Sequence, residues 1–245
     1  MSHDTILLSF KFPSDDWVLG SLVSQHVCIF NKPDCQPPRK PYTPVSPINQ
    51  KGTVDIMLKV YEKTEQYPNE KLSQYLNSLK VGDKALFNKP FGKVAYLGDG
   101  RFRLLGKEVK KSKIGLIAGG TGITPPYQII QAMHLAGDKS CDVKMLYSNK
   151  TLDDILLEKE LSKVDAEMDN ISIRHTITRQ TAADIASKGD KFTTGRVNLQ
   201  MLKDLGFPEP SDETLIIFCG PAPFNNELED MLEGAGYKDD QVFRM

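Results

Sequence analysis

The segment Ile114-Gly-Leu-Ile-Ala-Gly-Gly-Thr-Gly-Ile-Thr-Pro125 constrains this chain more than any other. An apolar run of strand length enters a glycine-rich turn, and a helix start follows at once. Glycines let backbone amides approach an anion closely, and a helix start favours negative charge. Thr124 is placed to act as an N-cap, and Pro125 to take the first helical position, where its missing N–H costs nothing. Pro125 also occupies the last slot of a G-x-G-x-x-G pattern, so the turn is not that dinucleotide fingerprint. A tight strand–helix connection without a ligand stays open as the alternative. Pro126 removes a further amide, which leaves an anion to the amides of Thr121 to Thr124.

The same rhythm continues to the end of the chain. Ile114–Ala118, Val143–Ser148, Ile171–Thr178, Thr214–Cys219 and Gln241–Met245 read as apolar strands. Between them, helices are expected over Pro125–Leu135, Asp153–Val164, Asn198–Leu205 and Phe224–Glu233. Strands apolar on both faces, alternating with helices, predict an α/β unit with a parallel sheet. Residues 1–98 differ. Thr5–Phe12, Val23–Phe30, Val54–Tyr61, Gly82–Lys89 and Lys93–Leu97 read as short strands broken by Gly and Pro. They predict a small antiparallel barrel, interrupted by one helix over Lys71–Leu79. The organisation expected is therefore residues 1–98 as a β-barrel domain, 99–112 as a polar, basic linker and 113–245 as the α/β domain.

Composition narrows the function classes. The 245 residues carry 31 Lys+Arg against 32 Asp+Glu, a balance unlike the basic excess of nucleic-acid-binding proteins. No run is long and apolar enough to span a membrane. The four cysteines form no C-x-x-C pair and the four histidines no metal-ligand spacing, so no metal site is expected. Scattered cysteines suit a reducing, cytoplasmic setting.

Three further segments could carry chemistry. Phe218-Cys-Gly-Pro-Ala-Pro-Phe224 ends an apolar strand, where open parallel sheets bind ligands. Taken by itself, Cys219 reads more simply as a small core residue. Arg39-Lys-Pro-Tyr-Thr-Pro-Val-Ser46 brings basic groups, an aromatic and hydroxyls together, as a phosphate and a planar ring require, although a proline-rich loop would look the same. Leu58-Lys-Val-Tyr61 puts Lys59 and Tyr61 on one strand face, with Ser73 near the start of the following helix.

The order of these segments is more specific than any one of them. Pro41-Tyr42-Thr43-Pro44-Val45-Ser46, Leu58-Lys59-Val60-Tyr61, Leu72-Ser73-Gln74-Tyr75-Leu76, Gly119–Pro125 and Cys219-Gly220-Pro221 together resemble the NADH–cytochrome b5 reductase family of ferredoxin-reductase-like flavoproteins. The resemblance covers nearly the whole chain. It implies a barrel holding FAD through Lys40, Tyr42, Thr43, Pro44, Val45, Leu58, Lys59, Tyr61, Lys71, Leu72 and Ser73. It implies a nicotinamide nucleotide held by Gly120, Thr121, Gly122, Thr124, Pro125, Cys219, Gly220 and Pro221. Tyr42, Thr43, Thr121 and Cys219 would line the place where hydride passes from nucleotide to flavin. The implied acceptor is a haem protein such as cytochrome b5. Lys71, Lys89 or Lys93, which cluster in sequence near the motifs of the β half, are expected to help dock an acidic haem protein. The implied setting is the cytoplasm or the cytoplasmic face of an organelle membrane.

The sequence also departs from the family pattern. Lys40 stands where the family has Arg, and Glu70 and Lys89 where it has glycines. The chain begins at the Ser2–Thr5 match, so a barrel strand is expected to be missing or supplied from elsewhere. Thr178 stands where NADH-preferring relatives place Asp, with Arg179 beside it and Lys150 at the neighbouring strand end, which keeps NADPH open beside NADH. An alternative therefore stands alongside the enzyme reading: a catalytically weak or inactive reductase-fold subunit with a structural role in a larger complex.

Overall fold

The computed structural model describes residues 2–30, 40–61 and 72–245. In the first half, β1 (Thr5–Lys11), β2 (Val27–Phe30), β3 (Lys40–Tyr42), β4 (Thr53–Lys59) and β5 (Leu86–Phe87) are joined by helix α1 (Leu72–Ser78). β1 and β4 pair antiparallel from Thr5↔Lys59 to Lys11↔Thr53, and β2 lies antiparallel between β3 and β5. Their inward side chains, Val27, Ile29, Val54, Ile56 and Leu58, enclose a core that Leu72 and Leu76 of α1 complete. The strand expected over Val23–Phe30 is shorter, because Ser24 has φ 74°. Its amide leaves the ladder and donates to Gln128 Oε1 of the other half. The strand expected over Gly82–Lys89 is reduced to Leu86–Phe87, since Lys80–Asp83 closes a turn of its own.

Residues 99–112, expected as a linker, instead carry two strands. β6 (Val94–Gly98), β7 (Arg101–Leu104) and β8 (Lys107–Lys110) form an antiparallel meander. Asp99-Gly100 and Leu105-Gly106 turn the chain with positive φ at all four residues, the geometry that tight hairpins require. Exposed charges alternate with buried Phe102 and Leu104, so a basic composition conceals a period of two.

The second half contains β9 (Lys113–Gly119), α2 (Thr124–Ala136), β10 (Asp142–Asn149), α3 (Glu158–Glu167), β11 (Ile171–Ile177), α4 (Ala182–Ile185), β12 (Phe192–Thr194), α5 (Leu199–Asp204), β13 (Thr214–Cys219), α6 (Ala222–Gly234) and β14 (Val242–Arg244). The sheet is parallel throughout, in the order β12-β11-β10-β9-β13-β14. The chain winds outward from β9 through β12 and then crosses to β13. The reversal leaves a crevice beyond the carboxyl ends of β9 and β13, where such sheets bind ligands. The single helix expected over Asp153–Val164 is two pieces, a 3-10 turn at Leu152–Asp154 and α3, divided by Leu157 at φ 58°. The strand β12, unforeseen in its basic stretch, pairs with His175–Ile177.

Helix α2 braces the two halves. Besides the Ser24 contact, Gln131 Nε2 donates to the Val45 carbonyl at 3.1 Å. Beyond its far end, Asp138 accepts from the Tyr96 hydroxyl and, at 2.9 Å, from the Asp99 amide. One apolar core runs through this junction, from Val23, Val45, Met57 and Tyr96 into Leu116, Ile130 and Tyr147. At the opposite sheet face, Gly115 admits Phe207 so closely that a Cβ there would stand 2.2 Å from its ring.

His175 is buried under Phe192, ring stacked on ring at 4.5 Å. Burial drives its pKa down to about 4. The unfolded chain takes up a proton near pH 6.5 and the folded chain does not, so this histidine's contribution is complete above that pH and is lost as pH falls toward 4. Urea unfolding midpoints should therefore fall between pH 7 and 4.5, with His175 supplying up to roughly 3 kcal/mol of the loss. His175→Gln should flatten the profile; an unchanged slope would remove His175 as its source.

Candidate active site

The glycine-rich turn follows β9 as a 3-10 turn over Gly120–Ile123. Gly120 has φ 53° and faces open space, with no atom within 4 Å of where a Cβ would stand. Its carbonyl is held from behind by the hydroxyl of Tyr147 at 3.0 Å. Tyr147 is fully buried at the end of β10, and burial raises its phenol well above the usual range.

Gly122 fixes the next contact. A Cβ on it would lie 2.2 Å from the Cys219 carbonyl oxygen and 2.7 Å from the Gly220 amide nitrogen. The loops after β9 and β13 therefore meet backbone to backbone. Gly220 lies against Phe224 as tightly, and Asn225 Nδ2 donates to its carbonyl at 2.9 Å. The structure thus unites Gly120, Thr121, Gly122, Cys219 and Gly220 at one strand-end floor, with Pro221 exposed at the start of α6. Burial pushes the Cys219 thiol up to about 11, so it stays protonated at neutral pH.

The helix start differs from the expectation. Thr124 is the first residue of α2 rather than its N-cap, and its amide is committed to the Thr121 carbonyl. It is therefore not a free anion donor, because the 3-10 turn tightens the entry and consumes it. Pro125 and Pro126 are buried in the first turn of α2.

On the β side, Lys40 holds its ammonium 5.4 Å from the centre of the Tyr61 ring. Tyr42 is half-buried, and burial with Tyr61 nearby pushes its phenol up to about 12. Thr43 and Pro44 are buried beside it. Val45 is committed to the junction, its amide donating to Asp55 at 2.9 Å and its carbonyl accepting from Gln131. Ser73 Oγ accepts the Tyr61 amide at 3.2 Å, leaving its hydroxyl hydrogen to donate elsewhere. Leu58 and Leu72 are core side chains, so only their backbones could meet a ligand. β4 ends at Lys59, whose ammonium pairs with Asp4, while Tyr61 lies past the strand end with Lys40 over its ring. Arg39, Glu70 and Lys71 lie outside the described residues.

Sequence reasoning missed Tyr147, Gln128, Gln131 and Asp4. Tyr147 carried a usable signal, because a tyrosine within a buried apolar strand needs a partner for its hydroxyl.

The residues present suit two ligands. Open space over Gly120, floored by the Gly122–Cys219 contact, fits a nucleotide laid across the strand ends. The cation and two phenols of Lys40, Tyr42 and Tyr61, with the Ser73 hydroxyl, fit a planar ring that carries phosphates.

Comparison with known proteins agrees with both halves. The oxidoreductase FAD-binding domain family matches residues 1–96, and the oxidoreductase NAD-binding domain family matches residues 116–230. NADH-cytochrome b5 reductase 2 of Homo sapiens is 35% identical over 256 residues, covering 99% of this chain and 90% of that protein. The Gallus gallus protein of the same name is 37% identical, covering 99% of this chain and 81% of its own length. The cytochrome b5 reductase domain of Ulva prolifera nitrate reductase superposes with a TM-score of 0.87 at 28% identity, covering 100% of this chain and 93% of that one. Similarity over the full length and a family match in each half lead to one assignment: the chain belongs to the NADH–cytochrome b5 reductase family.

Proposed function

We propose that this chain is an FAD-dependent NADH reductase that passes electrons singly to a haem protein of the cytochrome b5 type. The observation that carries the reading is the backbone contact of Gly122 with Cys219–Gly220, which makes one floor from two strand ends, with β4 of the β half packed against the Gly120–Ile123 turn. Bound FAD would supply the conversion of a two-electron hydride into single electrons.

The chain's own residues position and shield. Gly120, Thr121, Gly122, Cys219, Gly220 and Pro221 form the nucleotide floor, and Lys40, Tyr42, Thr43, Tyr61 and Ser73 hold the flavin. Both side chains nearest the transfer, the Tyr42 phenol and the Cys219 thiol, stay uncharged at neutral pH, with pKa values near 12 and 11. Neither then adds a charge that would bias hydride movement, and no acid or base is needed. Lys40, which stands where the family has Arg, keeps a cation at the site over the Tyr61 ring.

The acceptor docks by charge. Lys89 and Lys93 are exposed, and neither forms an ion pair among the described residues. They flank Phe91, which bridges to His26 directly before β2, the strand paired with Tyr42.

Anaerobic titration of the FAD-loaded protein with NADH should bleach the flavin absorbance, and the reduced protein should reduce cytochrome b5 as well as ferricyanide. A flavin left unbleached would overturn the reading, and reduction of ferricyanide alone would remove the haem-protein acceptor. Gly122→Ala should lower kcat/KM for NADH by about a hundredfold, the scale expected when reacting groups move by about 1 Å. Lys89→Glu with Lys93→Glu should slow cytochrome b5 reduction by about tenfold at low salt, with the deficit closing as salt rises. Equal rates at low salt would exclude this docking face.

A further inference from the structure

The rim that carries the glycine turn continues along the sheet to a cationic pair that the proposed hydride transfer does not use. β10 ends at Asn149-Lys150 and β11 at Ile177-Thr178-Arg179. Neighbouring strands lie ~4.8 Å apart, so the end of β11 is about 10 Å along the rim from that of β9. A nucleotide laid along the rim with its pyrophosphate at Gly120 would bring its other ribose toward this place.

The two strand ends are locked together. The Thr178 amide and hydroxyl both donate to the Asn149 carbonyl, at 2.9 and 3.2 Å, and the Arg179 amide donates to the Lys150 carbonyl at 2.8 Å. Gln180 Oε1 accepts the Leu152 amide at 2.7 Å, closing the next step of the same seam. Lys150 and Arg179 are therefore held side by side, both exposed and neither ion-paired among the described residues. The carboxylates that follow on the β10 side are Asp153 and Asp154. Asp154 accepts the amide and hydroxyl of Thr151. No carboxylate stands at either strand-end position. In dinucleotide sites of this architecture a carboxylate there binds a free ribose 2′-hydroxyl and repels a 2′-phosphate, whereas an arginine accepts the phosphate.

We propose that Lys150, Thr178 and Arg179 form a subsite for a ribose 2′-phosphate, so that the chain uses NADPH as well as NADH. Arg179 and Lys150 supply charge, and Thr178 supplies a small neutral side chain that leaves room. The inference rests on the reductase reading, and the two fail differently.

The test compares kcat/KM for NADPH and NADH in the FAD-loaded protein, with 2′,5′-ADP and 5′-AMP as competing probes. The expected NADPH-to-NADH ratio is above 0.1, and 2′,5′-ADP should inhibit at least about tenfold more tightly than 5′-AMP, the scale of a charge-assisted phosphate contact. The double substitution Lys150→Ala, Arg179→Ala, and separately Thr178→Asp, should each lower that ratio by about tenfold or more. A wild-type ratio below 0.1, or a ratio that neither variant lowers, overturns the subsite. NADH that bleaches the flavin in the same samples leaves the reductase reading standing in that event, whereas failure with both nucleotides sinks the reductase reading itself.

Discussion

Gly122 lies so close to Cys219 that no side chain can stand between the two loops. Two glycines on opposite strand ends, Gly122 and Gly220, turn separate connections into a single surface. Everything else at the site is arranged around that surface. Tyr147 holds it from behind, Asn225 pins its second edge, and α2 ties the β half to the α/β half. The contact explains the glycine-rich sequence better than anion binding alone does. Only Gly120 needs a left-handed backbone and faces open space; Gly122 is needed for closeness.

The α/β half was legible from the residues because its strands are apolar on both faces, and β13 was placed to the residue, at Thr214–Cys219. The β half was less so. Ser24 breaks its strand for a partner on a different element, Gln128, that no local pattern announces. The hairpin over Arg101–Lys110 was hidden by its charges, although Asp99-Gly100 is an ordinary hairpin signal that could have been read. β12 is three residues long and pairs only at its neighbour's end, too short for periodicity to register. At the site, the same divide holds. Gly120 and Gly122 were evident because local backbone geometry demands them, whereas Cys219, a core residue when read alone, was singled out by the resemblance. The diversion of Lys59 to Asp4 was not evident, because the partner comes from the far end of the chain.

Charge is handled differently at the two ends of the crevice. Burial pushes the Tyr42 phenol and the Cys219 thiol further above neutral pH, and the same force keeps His175 uncharged within the sheet. Along the outer rim, Lys150 and Arg179 stay exposed and charged. A neutral interior suits the movement of a hydride, whose barrier depends on alignment. A charged rim suits capture of an anionic ligand from water.

Helix α2 is bolted to the β half along its length, by Gln128 and Gln131 in its middle turns and by Asp138 just past its end. Such a crossbar forbids the halves from swinging apart like a clamshell without severing all three attachments at once. Traffic of nucleotide in and out must then rely on bending of the short loops at the strand tips. The spacing between the two halves is thereby set by a single helix.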